Sequence, residues 1–407
     1  MIENKKPWIL LVSIYTTQYM GAAFITAASI AIMRQSGMPL NKLALLNLIA
    51  IPIAFKILYA PFVDHYRLFF HGQYRSWLIL AQSLMTIMLF IIGMIDIQHY
   101  FSLIIILFLI YSFAASVQDV AIDGLSCKLF DQSQRQLANG VQYSSNLLGN
   151  IIGGGVLLML YPWLQWQLSL WVLAAFALLT CIQLLPFKEP IQEENNIKNI
   201  SILNYLSQLF HQIKIFLKKY KSWFLILFIY PIGFTAVFAN LNPMLVDAGW
   251  LLTDIGFVTK IFGSIIGIFS AVLAIILMSK LNRKKALLLL TVAQAFGLLF
   301  FIPISIGYDN KIWVYFAVFG YFIINPGLMA TLSTIIMDKA ATMQAKATFF
   351  TLQLSLIVFM GFVYAAGGMV LAQHIGYLWV IIISFIFALF VALLGWKIIP
   401  TKSYTLF

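Results

Sequence analysis

The chain has 407 residues, of which 62% are hydrophobic and only 9% charged. Those proportions exclude an ordinary soluble domain, whose core helices do not need apolar runs of 18 or more residues. The formal charge of +12 would suit nucleic acid, but the basic residues fall in the short segments between apolar runs, which argues against a nucleic-acid surface.

Twelve apolar runs are predicted, at roughly 8–35, 43–64, 76–95, 101–127, 137–160, 167–187, 222–247, 252–280, 285–307, 312–338, 346–372 and 375–399. In hydrocarbon every backbone polar group must be satisfied within its own segment, so these runs are helices. The first run is too long for a cleavable leader and has no small-residue cleavage site after it, so it is read as a span. With the N-terminus on the cytoplasmic side, 20 of the 25 basic residues fall on that side, as the positive-inside rule requires. Both termini are therefore expected in the cytoplasm. Cys127 and Cys181 lie in or at the end of spans and imply no disulfide framework.

The longest polar segment, 188–221, separates six spans from six. The predicted organisation is a bundle at 1–187, a cytoplasmic connector at 188–221 and a second bundle at 222–407. Within the connector, 205–219 has the pattern of an amphipathic surface helix, although a simple tether is the expected role. The halves look like repeats. Span 4 ends in Asp123 and span 10 in Asp338, 215 residues later. Span 5 carries Gln142 and then Gly153 to Gly155, and span 11 carries Gln353 and then Gly367 and Gly368. The basic segment "SKLNRKK" (279–285) after span 8 answers the basic loop after span 2. Parallel six-helix halves facing each other across a cavity form the major facilitator arrangement. The fold class expected is an all-α membrane protein with twelve transmembrane helices in two pseudo-symmetric six-helix halves.

Charges at membrane depth are the most informative positions, because each costs about 2.5–3.5 kcal/mol or more to insert. Lys56 and Asp119 each sit 8 residues from the cytoplasmic end of their spans. At about 1.5 Å rise per residue they lie at similar depth and are placed to pair. That pair is either a packing device or a binding and proton-coupling site. Lys260 lies in the outer part of span 8 and Arg34 near the outer mouth. Asp119 and Asp123 share a helix face at i, i+4. Asp64, Arg75, Asp123 and Asp338 sit at cytoplasmic ends and are assigned to gating. The polar residues Tyr15, Gln18, Gln118, Asn240 and Asn242 are candidate cavity-lining positions. Asn242 precedes Pro243 and Asn325 precedes Pro326, which suits local helix opening. His65, His71, His99, His211 and His374 are scattered without metal-ligand spacing, and there is no Walker motif. No catalytic residue, metal or cofactor is expected, so the chain is not read as an enzyme. A membrane enzyme or assembly factor would need a catalytic cluster that is missing.

The strings "FKILYAPFVDHYRLFFHGQYRSW" (55–77), "SVQDVAIDGL" (116–125) and "VTKIFGSIIG" (258–267) resemble the AmpG-like branch of the major facilitators. That branch holds muropeptide permeases, acetyl-CoA transporters and the RhtX/FptX siderophore importers. "LANGVQ" (137–142), "NPMLVDAGW" (242–250) and "MDKAATMQAKATFFTLQLSL" (337–356) resemble the siderophore importers most. The loop 65–75 carries fewer basic residues than the branch usually shows. The resemblance implies a monomeric bacterial inner-membrane permease importing a ferri-siderophore with protons. The alternatives are a muropeptide substrate, or efflux of a siderophore or drug. It also implies Asp119 as the proton site, with Lys56 as its electrostatic partner and Lys260 attracting an anionic ligand.

Overall fold

The structure, a computed structural model, describes residues 7–68, 72–97, 99–129, 135–190, 202–308, 310–340 and 346–398, and the side chains of Asp64 and some other helical residues lie outside the described set. All regular structure among the described residues is helical. Ten of these helices are long and apolar enough to cross a bilayer: Trp8–Gln35, Gln73–Gly93, Phe101–Ser126, Ser144–Leu184, Lys221–Asp247, Leu252–Ser270, Arg283–Ser305, Lys311–Ala340, Phe349–Ile375 and Tyr377–Lys397.

Helix count and expected span count part at two places. Ser144–Leu184 is 41 residues long. At about 1.5 Å per residue that is roughly 60 Å, twice the hydrocarbon thickness. Gln165 inside it has φ 54° and ψ −171°, which breaks the run into two arms corresponding to the expected fifth and sixth spans. The expected second span, 43–64, is not one helix. It is a short apolar helix, Leu40–Ala54, containing a 3-10 stretch at Ala44–Ile49, followed after Phe55 by Lys56–His65. Pro52 has no N–H and so removes one bond of the helix ladder. Carbonyl groups at the break are taken by hydroxyls of the restarted helix Lys56–His65 and of helix Phe101–Leu129. Ser112 donates to the Ile49 carbonyl, Tyr59 to the Pro52 carbonyl at 2.7 Å, and Ser116 to the same carbonyl at 3.3 Å.

Two further expectations change. The segment 279–285, read as a loop, lies within the helical run Gly263–Leu298. Its leucine, lysines and arginine are good helix formers, so nothing local stops the helix there. Helix Ile232–Asp247 continues through Pro243, and the interruption in this span falls at Tyr230 and Pro231 instead. At Pro326 the opening does occur. The helices Lys311–Phe322 and Asn325–Ala340 are separate, and the Asn325 amide donates to the Tyr321 carbonyl at 2.9 Å.

Packing divides the chain into two compact units: Met1–Ser36, Leu48–Ile202 and Leu252–Phe257 in one, and Gly37–Asn47, Leu203–Leu251 and Val258–Phe407 in the other. In the first unit, Leu11, Ile14, Leu78, Ala121, Ile122, Leu125 and Leu184 form a buried apolar core. Gly153 lies so close to the first helix that a Cβ would sit 2.0 Å from the Met20 carbonyl oxygen. In the second unit, Trp223, Leu227, Leu290, Leu328, Leu332 and Ile336 are part of the core. Gly368 lies against Ala236 in the same way, with a Cβ position 2.8 Å from its backbone. The glycines that mark the sequence repeat thus permit close helix contact in each unit. The connector contains the helix Ile202–Lys219, which is docked as well as tethered: Phe216 is buried against Phe349 at a ring separation of 4.6 Å.

Candidate functional site

Three charged residues are buried among the described residues: Asp119 at 8% exposure, Glu189 at 8% and Lys260 at 9%. Burying a charge is costly unless it is paired and hydrogen-bonded. The three meet that requirement differently.

Asp119 lies on helix Phe101–Leu129, facing the break in the second span. Because the helix restarts after Phe55, Lys56 occupies the first position of the next helix. A cation there opposes the helix dipole, so it gains from a close carboxylate. The Lys56 Nζ is 2.6 Å from Asp119 Oδ2. The other oxygen, Oδ1, accepts from the Gln18 amide at 2.9 Å. One turn further on, Asp123 Oδ1 accepts from the Tyr15 hydroxyl at 2.8 Å. The structure therefore brings together Tyr15, Gln18, Lys56, Asp119 and Asp123, five of the residues singled out in the sequence.

Lys260 has a different setting. It lies in the π-helical turn Phe257–Phe262. Such turns cluster at functional sites. Its Nζ sits 5.9 Å from the centroid of the Phe238 ring. Phe238 stacks on Tyr321 at 4.1 Å and meets Phe322 edge-on. No carboxylate pairs with Lys260 among the described residues.

Glu189 was read only as part of the polar connector, and its role has no sequence signal, since a charge run is ordinarily solvated. It accepts from Lys128 Nζ at 2.7 Å and from the Arg75 backbone N–H at 2.9 Å. Gly72, at φ +93°, passes so close that a Cβ would lie 2.7 Å from the Glu189 carboxylate.

The structure places the other site residues as follows. The Arg75 guanidinium donates to the Leu184 and Leu185 carbonyls at 3.0 and 2.6 Å, capping the C-terminal end of Leu157–Leu184. Gln118 was placed on a cavity wall. It is fully buried and donates to the Ile14 carbonyl at 2.9 Å, so it serves helix packing. Asn240 is buried and its amide donates to Ala236 one turn back, with Oδ1 unsatisfied. Asn242 is buried nearby and Arg34 is half-buried at the end of its helix. Of the residues assigned to gating, Asp123 accepts from the Tyr15 hydroxyl. Asp338 pairs with Arg283 from the basic segment. The Asp64 side chain lies outside the described residues.

Long apolar helices, charges held at membrane depth and helix breaks that supply polar partners define a multi-pass membrane transporter. A model of the Major Facilitator Superfamily matches residues 8–361, and the chain belongs to that superfamily. Among curated proteins, it is 25% identical over 227 residues to "Putative transporter AmpG 4" of Rickettsia conorii, covering 54% of each chain. It is 26% identical over 144 residues to the "Anhydromuropeptide permease" of Escherichia coli, covering 35% of this chain and 29% of the permease. The chain thus spans about half the length, or less, of these curated relatives. Among solved structures, a bacterial homologue of the human lysosomal transporter Spinster aligns with TM-score 0.71 and 14% identity, covering 97% of both chains. A D-xylose-proton symporter aligns with TM-score 0.69 and 14% identity, covering 97% of this chain and 98% of the other. At that identity these neighbours show the fold alone.

Proposed function

We propose that this chain imports an anionic peptidoglycan fragment of the anhydromuropeptide type across a bacterial inner membrane, by proton-coupled alternating access, with both termini cytoplasmic. The observation that carries the reading is Lys260, a buried ammonium with three donors, aromatic neighbours and no carboxylate partner among the described residues. A ligand carboxylate would complete it, beside the aromatic pair Phe238 and Tyr321. The name of one matched relative, the anhydromuropeptide permease of Escherichia coli, supports the same substrate class. The Lys56–Asp119 pair and Asp123 supply the carboxylates for proton coupling.

A second reading, import of an anionic ferri-siderophore, rests on the strings at 137–142, 242–250 and 337–356. Uptake of labelled anhydromuropeptide and of iron-labelled siderophore, measured side by side in proteoliposomes with an imposed pH gradient, separates the two. The expected result is gradient-driven muropeptide uptake that falls about ten- to a hundredfold in Lys260→Met. Iron uptake without muropeptide uptake would replace the first reading with the second.

A further inference from the structure

The two carboxylates on helix Phe101–Leu129 are one turn apart but are equipped for different tasks. Asp119 is saturated, with Lys56 on one oxygen and Gln18 on the other. Asp123 has a single donor, the Tyr15 hydroxyl, on Oδ1, and its Oδ2 receives none among the described residues. Asp119 is buried, whereas Asp123 is half-buried.

The groups that face Asp123 can be named element by element. The first helix presents Tyr15, with Tyr19 one turn along. The restarted second span presents Lys56, and its Asp64 side chain is outside the described set. Asp119 is on the same helix. Helix Gln73–Gly93 brings Tyr74 beside the adjacent Gly124. With both carboxylates ionised, this group holds two negative charges against one ammonium, a net charge of −1. Like charges in one buried site cannot both ionise freely, and the one without its own cation takes the proton.

We infer that the coupling proton is carried on Asp123, while Lys56 and Asp119 remain a permanently charged pair that positions it. The proton arrives from water and binds Oδ2, forming an O–H bond, while Tyr15 goes on donating to Oδ1. The group passes from net −1 to neutral and returns when the proton leaves. This deepens the proton-coupled reading above, moves the coupling role from Asp119 to its neighbour and does not depend on the substrate.

Infrared difference spectroscopy on the purified full chain in lipid, titrated from alkaline to acidic pH without any ligand, reads the carbonyl stretch of a protonated carboxyl group directly. The wild type is expected to show one such titrating band from the membrane interior. Asp123→Asn, which keeps an acceptor for Tyr15, should remove it. The double variant Lys56→Met with Asp119→Asn, which deletes the pair as a unit, should keep it. Tyr15→Phe should move the midpoint of the band without abolishing it, so a folded variant reports even if Asp123→Asn is unstable. A band that survives Asp123→Asn, or that disappears only in the double variant, overturns the assignment. So does a wild type with no titrating band. Failure of muropeptide uptake leaves these outcomes unchanged, so the two readings fail separately.

Discussion

The two units treat buried charge in opposite ways. In the first, Asp119 and Glu189 each have a lysine within 2.7 Å and a further hydrogen bond, so the charge is neutralised inside the protein. In the second, Lys260 is equally buried, lies over the Phe238 ring and has no carboxylate partner among the described residues. A paired charge holds structure, and removing one partner is costly because the other is stranded. An unpaired charge gives little to the fold, and its retention points to something that visits. The difference is between buried charges neutralised inside the protein and one that has no carboxylate partner among the described residues.

The largest effect expected from that contrast is in the first unit. Lys56→Met or Asp119→Asn alone should destabilise by about 3–5 kcal/mol, because each leaves an uncompensated buried charge. The double variant should cost less than the sum of the two, and a double-mutant cycle on thermal stability in detergent would measure the coupling. Additive effects would break the comparison.

Lys260→Met should show the converse. Its melting temperature should hold or rise, since a desolvated ammonium is removed. Uptake of a carboxylate-bearing substrate should fall about ten- to a hundredfold, the value of a hydrogen bond to a charged group. A large loss of stability would mean that Lys260 is structural after all.

Glu189→Gln should cost a similar amount to the first pair, about 3–5 kcal/mol, since it strands Lys128 beside a buried site and weakens the contact to Arg75. The smallest effect is expected at an exposed pair. Arg283→Gln should cost less than about 1 kcal/mol, because Arg283 and Asp338 have side-chain exposures of 51% and 35%. Equal costs in thermal melts would show that burial does not govern these contacts.

The contact between Lys56 and Asp119 was legible in the sequence because depth in a membrane is simple arithmetic. What the sequence did not reveal was the broken helix that turns Lys56 toward its partner. Pro52 alone does not announce a break, and the hydroxyls of Tyr59, Ser112 and Ser116 that make it tolerable belong to different segments. Gln118 misled for a related reason. A polar residue beside an aspartate at membrane depth resembles a ligand contact, yet it can equally bond a neighbouring helix's carbonyl, and periodicity does not distinguish the two. Glu189 was hidden by company, one acid in a polar connector with nothing local to mark it as buried.

The backbone outlier at Gln165 bears on how the chain enters its bilayer. The arms on either side are apolar, and the junction between them is a single residue whose φ of 54° is unusual for anything but glycine. Its side-chain amide donates to the Pro162 carbonyl at 2.9 Å, and its own carbonyl accepts from Ser169 at 2.7 Å. With so little polar chain between them, neither arm can wait in water while the other inserts. During biogenesis the pair should leave the insertion machinery as one helical hairpin, with the exposed Trp163 at the interface depth that indole rings favour and Trp166 packed inside against Phe24 and Phe108.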